Sequence, residues 1–153
     1  MGRKREDIEV VFVATGCEEA SLGGATALVD EMRNHWSTSK TVVLALDGLS
    51  GGELRYFEEG EIVPLPLAGW LRDLLHQVAA SEPRFAGVRG FNVPVGGSDV
   101  CAFLSRGYDG VCIGRVDPEL GAPREYHLPT DTPDRLDPAQ ILESVDFAET
   151  LVH

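Results

Sequence analysis

Residues 8–24 read IEVVFVATGCEEASLGG: an apolar, β-branched run, a small-residue turn, two adjacent acids and a glycine pair. The 8–14 run has the length and composition of a strand covered on both faces, and we expect it to be a central strand of the sheet. Ser21 follows the acids and can cap a helix over about 22–34, where Leu28, Val29 and Met32 recur at helical spacing. A buried strand would thus run almost directly into a helix, with Glu18 and Glu19 at the corner.

The pattern returns at 41–46, TVVLAL, which ends in Asp47 before the flexible stretch GLSGG. Downstream, the residue pattern predicts a short strand at 53–57 and an amphipathic helix over 67–80, with Leu71, Leu74, Leu75 and Val78 on one side. A weak strand is expected at 88–94, and GGSD at 96–99 is expected to open a helix through Cys101, Phe103 and Leu104, with Ser98 as its cap. Another buried strand follows at 110–114, then a long proline-containing loop from 115 to about 137. The last helix carries Ile141, Leu142, Val145 and Leu151. Strands alternating with helices predict an α/β fold, a three-layer α/β/α sandwich with a mostly parallel, mixed sheet. Without an internal repeat or linker, residues 1–153 read as a single domain.

Composition narrows the function. Twenty-five acids against thirteen Lys and Arg give a formal net charge of -12, which repels nucleic acid phosphates and anionic membrane surfaces. Arg3, Lys4 and Arg5 form too short a run for a binding arm. Cys17, Cys101 and Cys112 are odd in number and set among apolar residues, so they read as small buried thiols and not as a disulfide framework. No apolar stretch has the length of a membrane span, and the first residues lack a signal-peptide core, which by default says cytoplasmic.

In open α/β sheets ligands gather outside the carboxyl ends of the strands. Glu18, Glu19 and Asp47 are expected at such ends, on one rim if their strands share a parallel sheet. Clustered carboxylates disfavour one another's ionisation unless a cation neutralises them, and neither motif contains Lys or Arg. His127, in YHLPTDTPDRLD, is the fourth candidate, because imidazole with carboxylates is a zinc ligand set. His35 and His76 read as helix-surface residues, and His153 ends the chain. Taken singly, each candidate has a plainer explanation: acids at a helix start, an Asp turn before glycine, a loop histidine. Their joint arrangement favours a site. Asp99, beside Ser98, and Asp131, in a turn before Pro133, are expected to be structural. The glycines at 48–52 and 95–97 match neither phosphate-binding pattern.

Four pieces, VVFVATGCEEASLGG, TVVLALDGLSGGEL, GGSDVCAF and YHLPTDTPDRLD, together resemble the M28 group of zinc-dependent exopeptidases, the aminopeptidase Y-like metallopeptidases. The resemblance spans nearly the whole chain. It implies a zinc-exopeptidase-like fold in which Glu18 is the general base, Glu19 and His127 bind one zinc, and Asp47 binds a second. It departs from the family at Val100, after Asp99, and at Leu128, after His127.

The family's earlier HxD and DDNxSG-like segments do not occur in the sequence. The resemblance is therefore to the C-terminal portion of the catalytic domain, and we expect a chain truncated at its N-terminus. Such a chain would hold at most one zinc, weakly, and show little activity alone. The complete enzyme would take a peptide substrate. Two other functions fit the same residues: a non-catalytic α/β module that self-associates or pairs through an exposed sheet edge, and glutaminyl-cyclase-like acyl transfer.

Overall fold

The computed structural model describes residues 8–58, 65, 67–93 and 96–153. Four strands form one sheet: β1 (Val42–Leu46), β2 (Glu53–Phe57), β3 (Arg89–Phe91) and β4 (Asp109–Val116), in spatial order β1-β4-β2-β3. β1 is parallel to β4 and β3 to β2, whereas β2 and β4 are antiparallel, so the sheet is mixed. Its helices are α1 (Gly23–Met32), α2 (Gly69–Ser81), α3 (Val100–Leu104) and α4 (Pro138–Val152).

Alternation along the strands sorts the layers. Val111 and Ile113 of β4, with Leu54 and Tyr56 of β2, point to one face. There they meet Leu71, Leu75 and Val78 of α2 and Phe147 of α4. The opposite face carries α1 and α3, where Ala25 and Val29 pack on Ala102, Phe103 and Tyr108, with Val43 of β1 against them. The chain is thus an α/β three-layer sandwich. Each large apolar side chain buried this way contributes roughly 1.5–3 kcal/mol.

α4 turns a different face inward from the expected one. Ser144, Phe147 and Ala148 are buried, while Leu142 and Val145 are exposed. The cause is Arg115, a 4 % exposed guanidinium at the end of β4. It donates to Ser144 Oγ, to the Gln140 and Gly52 carbonyls and to Glu143, and so draws the polar stripe of α4 onto the sheet. A buried charge demands such partners more strongly than Leu142 demands burial.

The largest correction concerns the 8–14 run, which is not a strand. Ile8 and Val10 to Val13 are exposed, Phe12 at 93 %. A strand needs a neighbour to bond with, and among the described residues the run has none. The thiols also divide: Cys112 is buried as expected, but Cys17 is exposed. Residues 1–7, Pro94 and Val95, which entered the sequence expectations, lie outside the described residues. Among the described residues no helix is long and apolar enough to cross a membrane.

Candidate functional site

The parallel strands β1 and β4 end on the same side of the sheet, and their continuations are sewn together. Asp47 N–H donates to Ile113 O (3.1 Å) and Arg115 N–H to Gly48 O (2.9 Å), so Asp47 is fixed at the rim where β1 stops. β4 then leads into the loop that carries His127. Asp117 folds its start: the carboxylate accepts from the backbone of Glu119 and Leu120 and pairs with Arg124, which holds it below the usual carboxylate range. Arg124 N–H bonds Gly51 O (2.8 Å), and Asp137 N–H bonds Ser50 Oγ (2.9 Å). GLSGG is therefore the dock for this loop. Gly51 has φ +90°, and a side chain there would sit 2.9 Å from Arg124 Cβ.

Glu18 and Glu19 reach the rim by another route. The expected Ser21 cap is absent. The helix is instead capped at Leu22 with no side-chain bond, and both Ser21 and Leu22 have positive φ. Backbone carbonyls take over the task. Leu22, Gly23 and Gly24 donate to Glu18 O, Cys17 O and Gly16 O, which satisfies amides at the helix start. Gly24 is required for this closure, since a Cβ there would lie 2.3 Å from Gly16 O. The turn thus packs directly on α1 and directs both acids to the rim.

Ser98 is not a side-chain cap either. α3 begins after Asp99, with no side-chain cap bond, and Asp99 accepts a hydrogen bond from the Thr15 hydroxyl. Its other oxygen, Oδ1, is buried without a hydrogen-bond partner among the described residues, as is Ser98 Oγ. Asp99 therefore belongs to the rim and ties it to the residue just before GCEE. Sequence reasoning assigned it a structural role. The available signal was its place at a helix-opening turn, the position Glu18 and Glu19 also occupy.

These pieces bring Glu19 and His127 into contact across 108 positions of sequence: Nε2 lies 3.0 Å from Glu19 Oε1. Tyr126 stacks on the imidazole at 4.0 Å between centroids, a neighbour the sequence did not suggest. Cys17 and His127 both adopt left-handed backbone (φ 57°), which costs an L-residue about 1 kcal/mol. Burial raises the Glu18 carboxyl above its ordinary range, and Asp47, Glu19 and Asp99 push it further while His127 opposes them. Asp47 is raised too, first by desolvation and then by Asp99 and Glu19, against a hydrogen bond from Gly48 N–H. Glu18 thus feels Asp47, Glu19, Asp99 and His127, and Asp47 feels Asp99 and Glu19.

Imidazole nitrogen and carboxylate oxygen are suitable zinc donors. Among the described residues, however, no three His, Cys, Asp or Glu side chains converge closely enough to hold a metal ion. Glu19 and His127 fit as two donors, and Asp47 does not complete a set with them. The rim thus sets an imidazole–carboxylate pair beside Glu18, whose carboxyl is raised.

The fold has close counterparts among solved structures. A zinc aminopeptidase from Bacillus subtilis, BSAP, superposes with a TM-score of 0.70 at 22% identity, over 91% of this chain and 34% of that one. The LapA aminopeptidase of Legionella pneumophila gives 0.67 at 13% identity, over 90% and 36%. A glutaminyl cyclase from an Acidobacteriales bacterium gives 0.63 at 20% identity, over 86% and 44%. This chain thus spans about a third of the length of the aminopeptidases it matches. No curated protein sequence matches it. The model of the family described as Peptidase family M28 matches residues 2–152, almost the whole sequence. The chain belongs to peptidase family M28.

Proposed function

We propose that the chain carries the proton-transfer residue and part of the metal-ligand set of a zinc-dependent aminopeptidase-like hydrolase acting on peptide N-termini. The observation that carries the proposal is the contact of Glu19 with His127 beside Glu18, close to Asp47 where β1 ends. In this reading Glu19 and His127 hold one zinc ion and Asp47 contributes to a second. When bound, zinc would lower the pKa of a water ligand and polarise the scissile carbonyl. Glu18 takes a proton from the attacking water and returns it to the departing amine; desolvation and the neighbouring Asp47 raise its carboxyl, which favours holding that proton between the two steps. Asp99 holds Thr15 and so the turn from which Glu18 projects. With two donors in contact and no third joining them among the described residues, the chain holds at most one zinc, weakly, and turns over slowly.

Zinc titration calorimetry and hydrolysis of an aminoacyl anilide test these roles. Glu18→Gln is expected to lower turnover by roughly 10²-fold or more while leaving zinc affinity unchanged. His127→Ala is expected to abolish zinc binding. A Glu18→Gln protein with full turnover, or two tightly held zinc ions with fast hydrolysis by this chain alone, would contradict the proposal.

The match to a glutaminyl cyclase over 86% of this chain supports a second reading, acyl transfer on N-terminal glutamine. Ammonia release from a glutamine-initiated peptide, without hydrolysis of the anilide, would select it.

A further inference from the structure

His127 stands inside a closed turn of the loop that carries it. Ahead of the turn the chain is fastened: Arg124 N–H donates to Gly51 O, and the Arg124 guanidinium pairs with Asp117 (2.9 Å). Beyond it, Ser50 Oγ accepts from Asp137 N–H. Between these points Glu125 makes two closures of its own. Its carbonyl accepts from Leu128 N–H (2.9 Å), and its carboxylate accepts from the Thr130 hydroxyl. Both bonds reach across His127, so one residue at the mouth of the turn governs where the imidazole stands.

The backbone makes that closure necessary. Glu125 and His127 both adopt left-handed conformations, φ 67° and 57°, with Tyr126 between them. Such conformations are uncommon outside glycine and persist where surrounding contacts hold them. Glu125 supplies the contacts. Its side chain turns inward and is 22 % exposed. Arg135 also approaches its carboxylate (3.5 Å), but that guanidinium is 57 % exposed, and an ion pair so open to water contributes little. The Thr130 hydroxyl is the directional partner.

We propose that Glu125 is a positioning residue for the imidazole: the hydrogen bond its carboxylate accepts from Thr130 keeps the turn 125–130 closed, and so keeps His127 Nε2 against Glu19. Glu125 acts on the site only through His127. The inference deepens the reading above, which it needs only for naming His127 a zinc donor. A donor already held in place meets its ion without first ordering the loop, so closing the turn strengthens metal binding as partners behind a ligand do.

Proton spectra of the metal-free full chain test this at about pH 8.5, where histidine is ordinarily neutral. The His127 ring resonances are identified by their loss in His127→Ala. Glu125→Ala and Thr130→Val should each shift them and leave those of His35 and His76 in place. The double substitution should shift them no further than either single one, since both remove the same bond. Glu125→Gln keeps an acceptor oxygen for the Thr130 hydroxyl and should restore the original positions, and Arg135→Gln should not move them. The thermal midpoint should fall by less than about 4 °C in every variant. Zinc calorimetry should show affinity lowered roughly tenfold in Glu125→Ala and regained in Glu125→Gln. His127 resonances unmoved by Glu125→Ala and Thr130→Val, or moved as far by Glu125→Gln as by Glu125→Ala, would overturn the proposal. A chain that takes up no zinc would count against the zinc reading alone, because the metal-free resonances decide the part played by Glu125.

Discussion

The 8–14 run and β1 are built from the same kinds of residue, and each leads to acids at the rim. β1 lies against β4 and has Leu44 and Val43 packed on opposite helical layers. Among the described residues the run has neither a strand beside it nor a buried layer above it, and its side chains stay exposed. What separates them is the neighbour, not the residue pattern: strand propensity expresses fit to a pleated, half-buried surface, and only β1 meets one. The difference reaches the site. Asp47 and His127 stand on segments sewn to the core, whereas Glu18 and Glu19 stand on a turn held by α1 and Asp99.

That contrast can be broken from the core side first. Phe147→Ala removes a fully buried ring packed edge-on against Phe85, and is expected to cost about 3–5 kcal/mol in urea denaturation. Gly24→Ala tests the turn. A Cβ pressed on Gly16 O forces backbone movement, with an expected cost of about 1–3 kcal/mol and a shift of the His127 ring resonances as Glu19 moves. A proton spectrum in which the His127 ring resonances stay put would show that the turn is not what delivers Glu19.

Asp47→Asn sharpens the electrostatic side of the comparison. Its folded-state pKa is raised, so ionised Asp47 opposes folding; the stability associated with its neutral form is present at low pH and lost as pH rises through the raised pKa. In metal-free protein the substitution should raise the thermal midpoint at pH 7, and the gain should fade as pH falls toward the ordinary Asp value. A gain that persisted undiminished at low pH would assign the effect to packing. The smallest effect is expected at Phe12. In dilute, monomeric protein Phe12→Ser should change stability by less than about 0.5 kcal/mol despite the size of the side chain removed.

Much of the fold was legible because β1, β2, β4 and α2 satisfy their local patterns and their surroundings together. The Leu71, Leu75 and Val78 stripe, for example, points where its spacing implied. Three features were not legible. The fate of the 8–14 run depends on a neighbour, which no local pattern encodes. The inward face of α4 is set by Arg115, a single charge from another element. The caps at Ser21 and Ser98 failed because backbone carbonyls do that work at α1 and Asp99 turns to Thr15 at α3. At the site, Glu18, Glu19, Asp47 and His127 were recognisable as acids and an imidazole after apolar runs or in a long loop. Asp99 and Tyr126 enter through contacts made only in three dimensions.

The Glu19–His127 contact also bears on the order of events in folding. It closes a loop of 108 positions, so the entropy of bringing its ends together is met only after β1, β4 and the docked loop have removed most of that freedom. The rim should therefore mature late and open early. Substitutions at Glu19 or His127 should leave the folding rate nearly unchanged and act mainly on the unfolding rate.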